Sequence, residues 1–262
     1  MLGKIIGGLI GYWLGGFWGF LLGIYLGHQL DKRMTRIAGG YLLRTVANYQ
    51  AKTQQVFFEA TFSVMGCLAK ADGRVSEEEI ALARQVMQRM GLSAEVQRQA
   101  MQLFAQGKEP DFDLDAVLQK LHQATRGRMN LIQMFIEIQL GVGYADGTLK
   151  TAERDLLLRI CDRLGFPVEA FERLEAMIQA EIHHHKGGSQ GPTLEDAYAI
   201  LSIEESATDA EVKRAYRRLT SQHHPDKLAA KGLPPEMMKL AQEKTHEIRT
   251  AYEKIRETRG FK

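Results

Sequence analysis

The start of the chain contains an apolar segment long enough to cross a lipid bilayer as a helix. From Ile5 to Leu26 there is no charged residue, and about 20 apolar residues in a helix span the hydrocarbon core. A secretory signal peptide is the competing interpretation, but its apolar core is usually about 7–15 residues long. No small-residue cleavage site follows, because polar and charged residues begin at His28. We predict an uncleaved transmembrane helix within a glycine-rich anchor at residues 1–30.

The charges that flank this segment predict its orientation. Lys4 alone precedes it, whereas Lys32, Arg33 and Arg36 follow it. Positive residues are enriched on the cytoplasmic side of membrane helices. The C-terminal bulk of the chain is therefore expected in the cytoplasm.

Glycines recur at every fourth position of the anchor. They are Gly3, Gly7, Gly11, Gly15, Gly19, Gly23 and Gly27. Because glycine has no side chain, such a row lets a second membrane helix approach closely. Four residues exceed the 3.6 residues of one turn, so the row winds around the helix and favours a crossing or right-handed supercoil. The alternative is that glycine is simply common in membrane helices. We predict a homodimer through Gly7, Gly11, Gly15, Gly19 and Gly23.

Composition excludes several functions. The 262 residues carry a net charge of +2, which gives no reason to expect nucleic acid as a partner. The two cysteines, Cys67 and Cys161, lie in apolar helical patterns and are expected to be buried, reduced thiols. We find no phosphate-binding glycine loop, HExxH motif or nucleophile elbow. The chain is therefore not expected to be an enzyme.

Helical periodicity dominates the region after the anchor. Apolar residues recur at spacings of three and four, as in 56–68, 131–138 and 156–164, and no strand-like alternation competes with them. We predict an all-α chain with a juxtamembrane helical segment at 31–56. A helical domain, called the middle domain below, is expected at 57–182.

Two similar acidic turns occur in the middle domain. Asp-Gly pairs begin at Asp72 and Asp146, and Glu79 and Glu153 follow in the next predicted helices. These four carboxylates could converge on a divalent metal, although neither turn alone supplies the oxygen ligands of an EF-hand. The alternative is that they are turn glycines followed by helix caps. The segment resembles the TerB-like helical domain family, which implies metal-binding positions at these four acids; no other cofactor is expected.

A glycine-rich segment separates the middle domain from the C-terminal region. Residues 183–193 contain three histidines followed by glycine, serine and proline, a composition typical of a flexible linker. Consecutive histidines on a helix point about 100° apart and suit a single metal ion poorly. We interpret them as a solvated helix end.

The C-terminal region, 194–262, is predicted to form a short helix followed by a helical hairpin. Thr208 and Glu211 can form a capping box that opens the second helix. That helix is expected to run to about Gln222. Its outward face carries four cations with no acid among them. They are Lys213, Arg214, Arg217 and Arg218.

A His-Pro-Asp tripeptide follows this helix. It consists of His224, Pro225 and Asp226, and proline disfavours the helical conformation in the residue before it. We expect a loop after the tripeptide, and then a long antiparallel helix from about Glu236 to Glu257.

This layout resembles the J-domain family over residues 194–262. The resemblance implies that the tripeptide, Lys227 and the basic row bind a DnaK-type chaperone and favour its hydrolysis of ATP. Asp226 is a carboxylate available to an arginine of the partner, and the cations would steer the domain to an acidic patch. One departure is Ser202, which stands where most members have glycine.

The order of anchor, TerB-like domain and J-domain resembles membrane-anchored DnaJ-like proteins of Gram-negative bacteria. The resemblance implies a single-pass protein of the inner membrane with a short periplasmic N-terminus. Its expected function is to recruit a DnaK-type chaperone to specific clients or to a regulatory pathway. The alternative is a metal- or stress-sensing membrane adaptor that acts through the middle domain.

Overall fold

A computed structural model of the chain describes residues 47–71, 84, 86–88, 90–144, 147–186 and 192–261. The described residues form helices and contain no β-strand, which confirms the all-α prediction. The chain divides into two compact units, Met1–Ala51 and Lys52–Lys262. The predicted transmembrane segment and its glycines lie outside the described residues. Within the described part of the chain, no helix has the length and apolarity needed to span a membrane.

The middle domain is a bundle of helices around one apolar core. The helices whose bounds lie within the described residues are α1 (47–69), α2 (Ala94–Gly107), α3 (Leu114–Ala124), α4 (Met129–Gly143), α5 (Thr151–Leu164) and α6 (Val168–Lys186). The side-chain oxygens of Ser93 and Asp113 cap α2 and α3. Gly66 lets α1 touch α2, because a Cβ there would lie 2.0 Å from the carbonyl oxygen of Phe104. Helix α4 is buried along most of its length and is the central helix of the bundle.

The C-terminal region is also helical, with one α-helix and one 3₁₀ turn more than the sequence predicted. Its elements are α7 (Leu194–Ile200), α8 (Asp209–His223), α9 (Pro225–Lys231), a 3₁₀ turn (Pro235–Met237) and α10 (Met238–Arg259). The predicted capping box is confirmed, since the Glu211 carboxylate accepts the backbone N–H of Thr208 at 2.8 Å. The prediction of a plain loop after the tripeptide was wrong, because helix α9 begins there. Pro225 occupies the first position of that helix, where its missing N–H costs nothing.

The three histidines at the start of the predicted linker lie at the end of a helix, as the sequence indicated. Helix α6 continues to Lys186, so the first four residues of the predicted linker are helical. No glycine or proline interrupts the chain between Val168 and Lys186, and the helix therefore has no reason to end earlier. Helix α6 packs along α7, and Ala180 of α6 is buried in the apolar cluster of the C-terminal region.

Candidate functional site

The His-Pro-Asp tripeptide lies at the junction between α8 and α9. His224 leaves the helical conformation, with φ −58° and ψ 123°, and its Nδ1 accepts the backbone N–H of Asp226 at 3.2 Å. His224 and Pro225 are half-buried, whereas Asp226 is exposed. The tripeptide is therefore held in one backbone conformation, and its carboxylate is free to meet an arginine of a partner.

The predicted basic row lies on the outer face of α8. Arg214, Arg217 and Arg218 are exposed. Lys213 is half-buried, with its Nζ 5.2 Å from the centre of the Phe261 ring. Lys227 of α9 is exposed and donates to the hydroxyl of Ser221. The structure thus brings the cations and the tripeptide to neighbouring elements, as the sequence predicted.

A buried ion pair directly precedes the tripeptide. The His223 side chain is only 3% exposed, and its Nε2 lies 2.8 Å from Oε1 of Glu137 in α4. Its Nδ1 lies 2.9 Å from the carbonyl oxygen of Leu219. A carbonyl oxygen and an ionised carboxylate are both acceptors, so this geometry favours a proton on each ring nitrogen, which is the imidazolium form. Gln133 donates a further hydrogen bond to Glu137 at 2.9 Å.

The two partners shift each other's pKa. Burial alone would lower the pKa of His223, but the charge and hydrogen bond of Glu137 raise it above its ordinary value. Burial alone would raise the pKa of Glu137, but the charge and hydrogen bond of His223 lower it. Lys244 of α10 is close enough to act on both charges. The charged forms of both partners are therefore favoured in the folded protein.

Sequence reasoning missed this pair. The only signal was Glu137 itself, the one charged residue between Leu131 and Leu140, where all other residues are apolar except two glutamines. A lone acid on an apolar helix face indicates a buried partner, but nothing in the sequence shows that the partner is His223.

Polar contacts also hold both ends of α9 to the middle domain. Asn130 donates to the carbonyl oxygen of Gln222 at 3.2 Å and accepts a hydrogen bond from Lys231 at 2.9 Å. Arg128 donates to the carbonyl oxygen of Lys231 at 2.7 Å. The first residues of α4 thus contact the chain on both sides of the tripeptide.

The C-terminal region shares its apolar core with the middle domain at this point. Four residues that follow the tripeptide are fully buried in the cluster that contains the middle-domain core. They are Leu228, Leu233, Met237 and Ala241. Gly232 makes this approach possible, because its φ is 104° and a Cβ there would lie 2.8 Å from Thr53 of α1. The tip of the hairpin is therefore packed into the middle domain.

A second buried ion pair joins the same two regions. Lys244 of α10 donates to the carboxylate of Glu181 in α6 and lies 3.9 Å from Glu247. Burial alone would lower the pKa of Lys244, but the charges of Glu181, Glu137 and Glu247 raise it. Lys244 is thus a buried cation stabilised by acids of both regions.

The proposed metal ligands are only partly described. Asp72, Glu79 and Asp146 lie outside the described residues. Glu153 is buried, and its Oε2 accepts the backbone N–H of Lys150 at 3.0 Å, which is the helix-cap role that the sequence offered as the alternative. The described residues contain no cluster of three metal-binding side chains. The metal site stays a prediction.

Both cysteines are free thiols in the structure. Cys161 is buried, and burial raises its pKa to about 12. Cys67 is half-buried, and burial raises its pKa as well. Neither thiol is suited to nucleophilic chemistry, because the reactive form is the thiolate.

Comparison with known protein families assigns each part of the chain. The family described as DnaJ domain matches residues 196–259, and the family described as tellurite resistance protein TerB matches residues 58–176. The family described as co-chaperone DjlA transmembrane domain matches residues 1–47. Together with the helical hairpin and its tripeptide, these matches define a J-domain protein with a membrane-anchor region.

Comparison with curated proteins narrows this class. The chain is 45% identical to co-chaperone protein DjlA of Vibrio cholerae, over 100% of this chain and 99% of the relative. It is 46% identical to the protein of that name from Shewanella oneidensis, over 99% and 98% of the two chains. The relative from Coxiella burnetii is 45% identical over 99% and 98%. The chain belongs to the DjlA family of co-chaperones. No solved structure matches it.

Proposed function

We propose that this protein is a membrane-anchored co-chaperone that stimulates ATP hydrolysis by a DnaK-type chaperone. The observation that carries the proposal is the exposed Asp226 at the start of α9, beside the exposed cations of α8. This arrangement offers one carboxylate and a field of positive charge to a partner. In this proposal the site binds its partner, and the hydrolysis takes place on the chaperone.

Each part of the surface has a distinct task in this proposal. The cations Arg214, Arg217 and Arg218 attract an acidic surface of the chaperone and raise the rate of encounter. The carboxylate of Asp226 then pairs with an arginine of the chaperone. Docking favours the hydrolysis-competent conformation of the chaperone by binding that conformation more tightly than the others.

The membrane anchor determines where this happens. We infer a single-pass arrangement in the bacterial inner membrane, with a short periplasmic N-terminus and the C-terminal bulk in the cytoplasm. The charges that flank residues 5–26 support this orientation. The protein would then recruit the chaperone to specific clients or to a regulatory pathway at the membrane surface.

The central test uses the full chain in detergent micelles, because the J-domain shares its core with the middle domain. Steady-state ATPase of a DnaK-type chaperone is measured with the wild type and with His224→Gln. We expect stimulation by the wild type and loss of at least about 90% of it in the variant, since the tripeptide loses the ring that orders it.

His246→Gln is the matched control, because His246 is an exposed histidine of α10 outside the tripeptide. It should stimulate as the wild type does. Absence of stimulation by the wild-type chain would refute the proposed function. Equal activity of His224→Gln and the wild type would refute the role of the tripeptide.

Dimerisation through the glycine row is tested separately. Replacement of Gly11, Gly15 and Gly19 by leucine should weaken self-association in a bilayer, because the added side chains prevent close helix approach. Energy transfer between labelled chains in vesicles measures the association. A control that replaces Leu9, Leu14 and Leu21 by isoleucine changes side-chain shape without filling the glycine row. Unchanged association of the glycine variant would disprove this mode of dimerisation.

A further inference from the structure

The middle domain contacts the chain on both sides of the tripeptide and leaves the tripeptide accessible. His223 is buried against Glu137 immediately before it. Asn130 contacts both flanks, at Gln222 and at Lys231. Asp226 nevertheless remains exposed. The contacts therefore fix the position of the tripeptide and do not cover it.

We propose that the middle domain positions the His-Pro-Asp tripeptide for the chaperone, with His223 and Glu137 as positioning residues. This inference rests on the proposed function of the tripeptide. The middle domain then has a direct role in how the J-domain binds the chaperone.

The accessible cations show that the contact presents the site and does not inhibit it. Arg214, Arg217 and Arg218 remain exposed while the tip of the hairpin is packed into the middle domain. An inhibitory contact would cover these cations or the Asp226 carboxylate. In this structure the buried face of α8 is the opposite one, which carries Val212 and Leu219.

The geometry explains why this pair would control the tripeptide. His223 and His224 are consecutive, so fixing the ring of the first fixes the backbone at which the second leaves the helix. The imidazolium of His223 has an acceptor on each nitrogen, Leu219 within α8 and Glu137 in α4. Loss of this pair leaves a charge buried without its partner, and the tip is then expected to loosen.

A loosened tip should weaken binding of the chaperone more than it reduces the maximal rate. The apparent affinity equals the intrinsic affinity multiplied by the fraction of molecules whose tripeptide is in the binding-competent conformation. We expect His223→Gln and Glu137→Gln to raise the half-saturating concentration of co-chaperone about five- to tenfold. The stimulated rate at saturation should stay near that of the wild type.

The experiment titrates full-length variants in detergent micelles into a DnaK-type chaperone and measures ATPase. Asn130→Ala is the milder variant and should raise the half-saturating concentration without removing a charge. The matched controls are His246→Gln and Glu172→Gln, which make the same chemical changes at exposed positions. The double variant His223→Gln/Glu137→Gln should be no worse than either single variant, because both remove one interaction.

A pH series separates positioning from a general loss of structure. The groups that face His223 are Glu137 and Gln133 of α4, Lys244 of α10 and the carbonyl oxygen of Leu219 in its own helix. Above the pH at which His223 loses its proton, the wild type should no longer have a lower half-saturating concentration than His223→Gln. The ratio of half-saturating concentrations, His223→Gln over wild type, should therefore fall towards one as the pH rises.

Three outcomes would overturn the proposal while the proposed function stands. In the first, the wild type stimulates the chaperone and the stimulation depends on His224, but the half-saturating concentrations of the variants stay within about twofold of the wild-type value. The variants meant are His223→Gln, Glu137→Gln and Asn130→Ala. In the second, the ratio of half-saturating concentrations, His223→Gln over wild type, does not change with pH. The third is a loss of activity that only follows the folded fraction measured by thermal unfolding. A wild-type chain without stimulation would instead refute the proposed function itself.

Discussion

At the scale of single residues, Ser202 occupies a turn that favours glycine. Its φ is 52°, the one positive value among the non-glycine residues that the structure describes. The J-domain family usually has glycine here, and the turn keeps the glycine-like backbone despite the serine. A left-handed conformation costs a residue with a Cβ about 1 kcal/mol or more. The turn between α7 and α8 is therefore strained in this protein.

Ser202→Gly should stabilise the chain. Removal of the Cβ strain outweighs the greater freedom of glycine in the unfolded state, and we expect a gain of about 0.5–1 kcal/mol. Thermal or denaturant unfolding of the detergent-solubilised chain measures the change. Ser221→Gly lies within helix α8 and should have the opposite sign, with a loss of about 0.5 kcal/mol. A loss of stability in Ser202→Gly would show that the turn is not strained.

At the scale of secondary-structure elements, the junction of α8 and α9 shows what local sequence can predict and what it cannot. Proline at 225 correctly indicated the end of α8, because proline disfavours the helical conformation before it. The same proline also favours the first position of a new helix. The seven residues from Pro225 to Lys231 are enough for about two turns. Local sequence alone does not decide between a loop and so short a helix. Burial of Leu228 in the middle-domain core decides it.

The elements that were predicted well are those with local signals. The capping box of Thr208 and Glu211 and the cations of α8 depend on spacings within one helix. The pair of His223 and Glu137 depends on residues 86 positions apart. No periodicity within either helix carries that information, because the contact arises only when two helices pack together.

At the scale of the whole molecule, the buried pair should make stability depend on pH. The pKa of His223 is raised, so its contribution is fully present below the ordinary value of 6.5 and is lost as the pH rises through the raised value. The pKa of Glu137 is lowered, so its contribution is present above the ordinary value of 4.5 and is lost as the pH falls through the lowered value. Both contributions are complete only between these ordinary values.

Thermal unfolding of the full chain across this range tests the prediction. His223→Gln should destabilise the chain by about 3 kcal/mol between pH 4.5 and 6.5, because it leaves the buried Glu137 without its hydrogen-bonded cation. The difference from the wild type should shrink at higher pH, where the wild-type pair is also lost. His246→Gln should show no such pH-dependent difference. A constant difference at all pH values would mean that His223 is not charged in the folded protein.

The packing of the hairpin tip limits how this protein can be rearranged by recombination. Here Leu228, Leu233 and Met237 complete the interior of the neighbouring domain. A transplanted J-domain would leave a hole in that interior unless it brought side chains of matching volume and a histidine for Glu137. The two domains are therefore expected to change together during evolution, as one inherited unit.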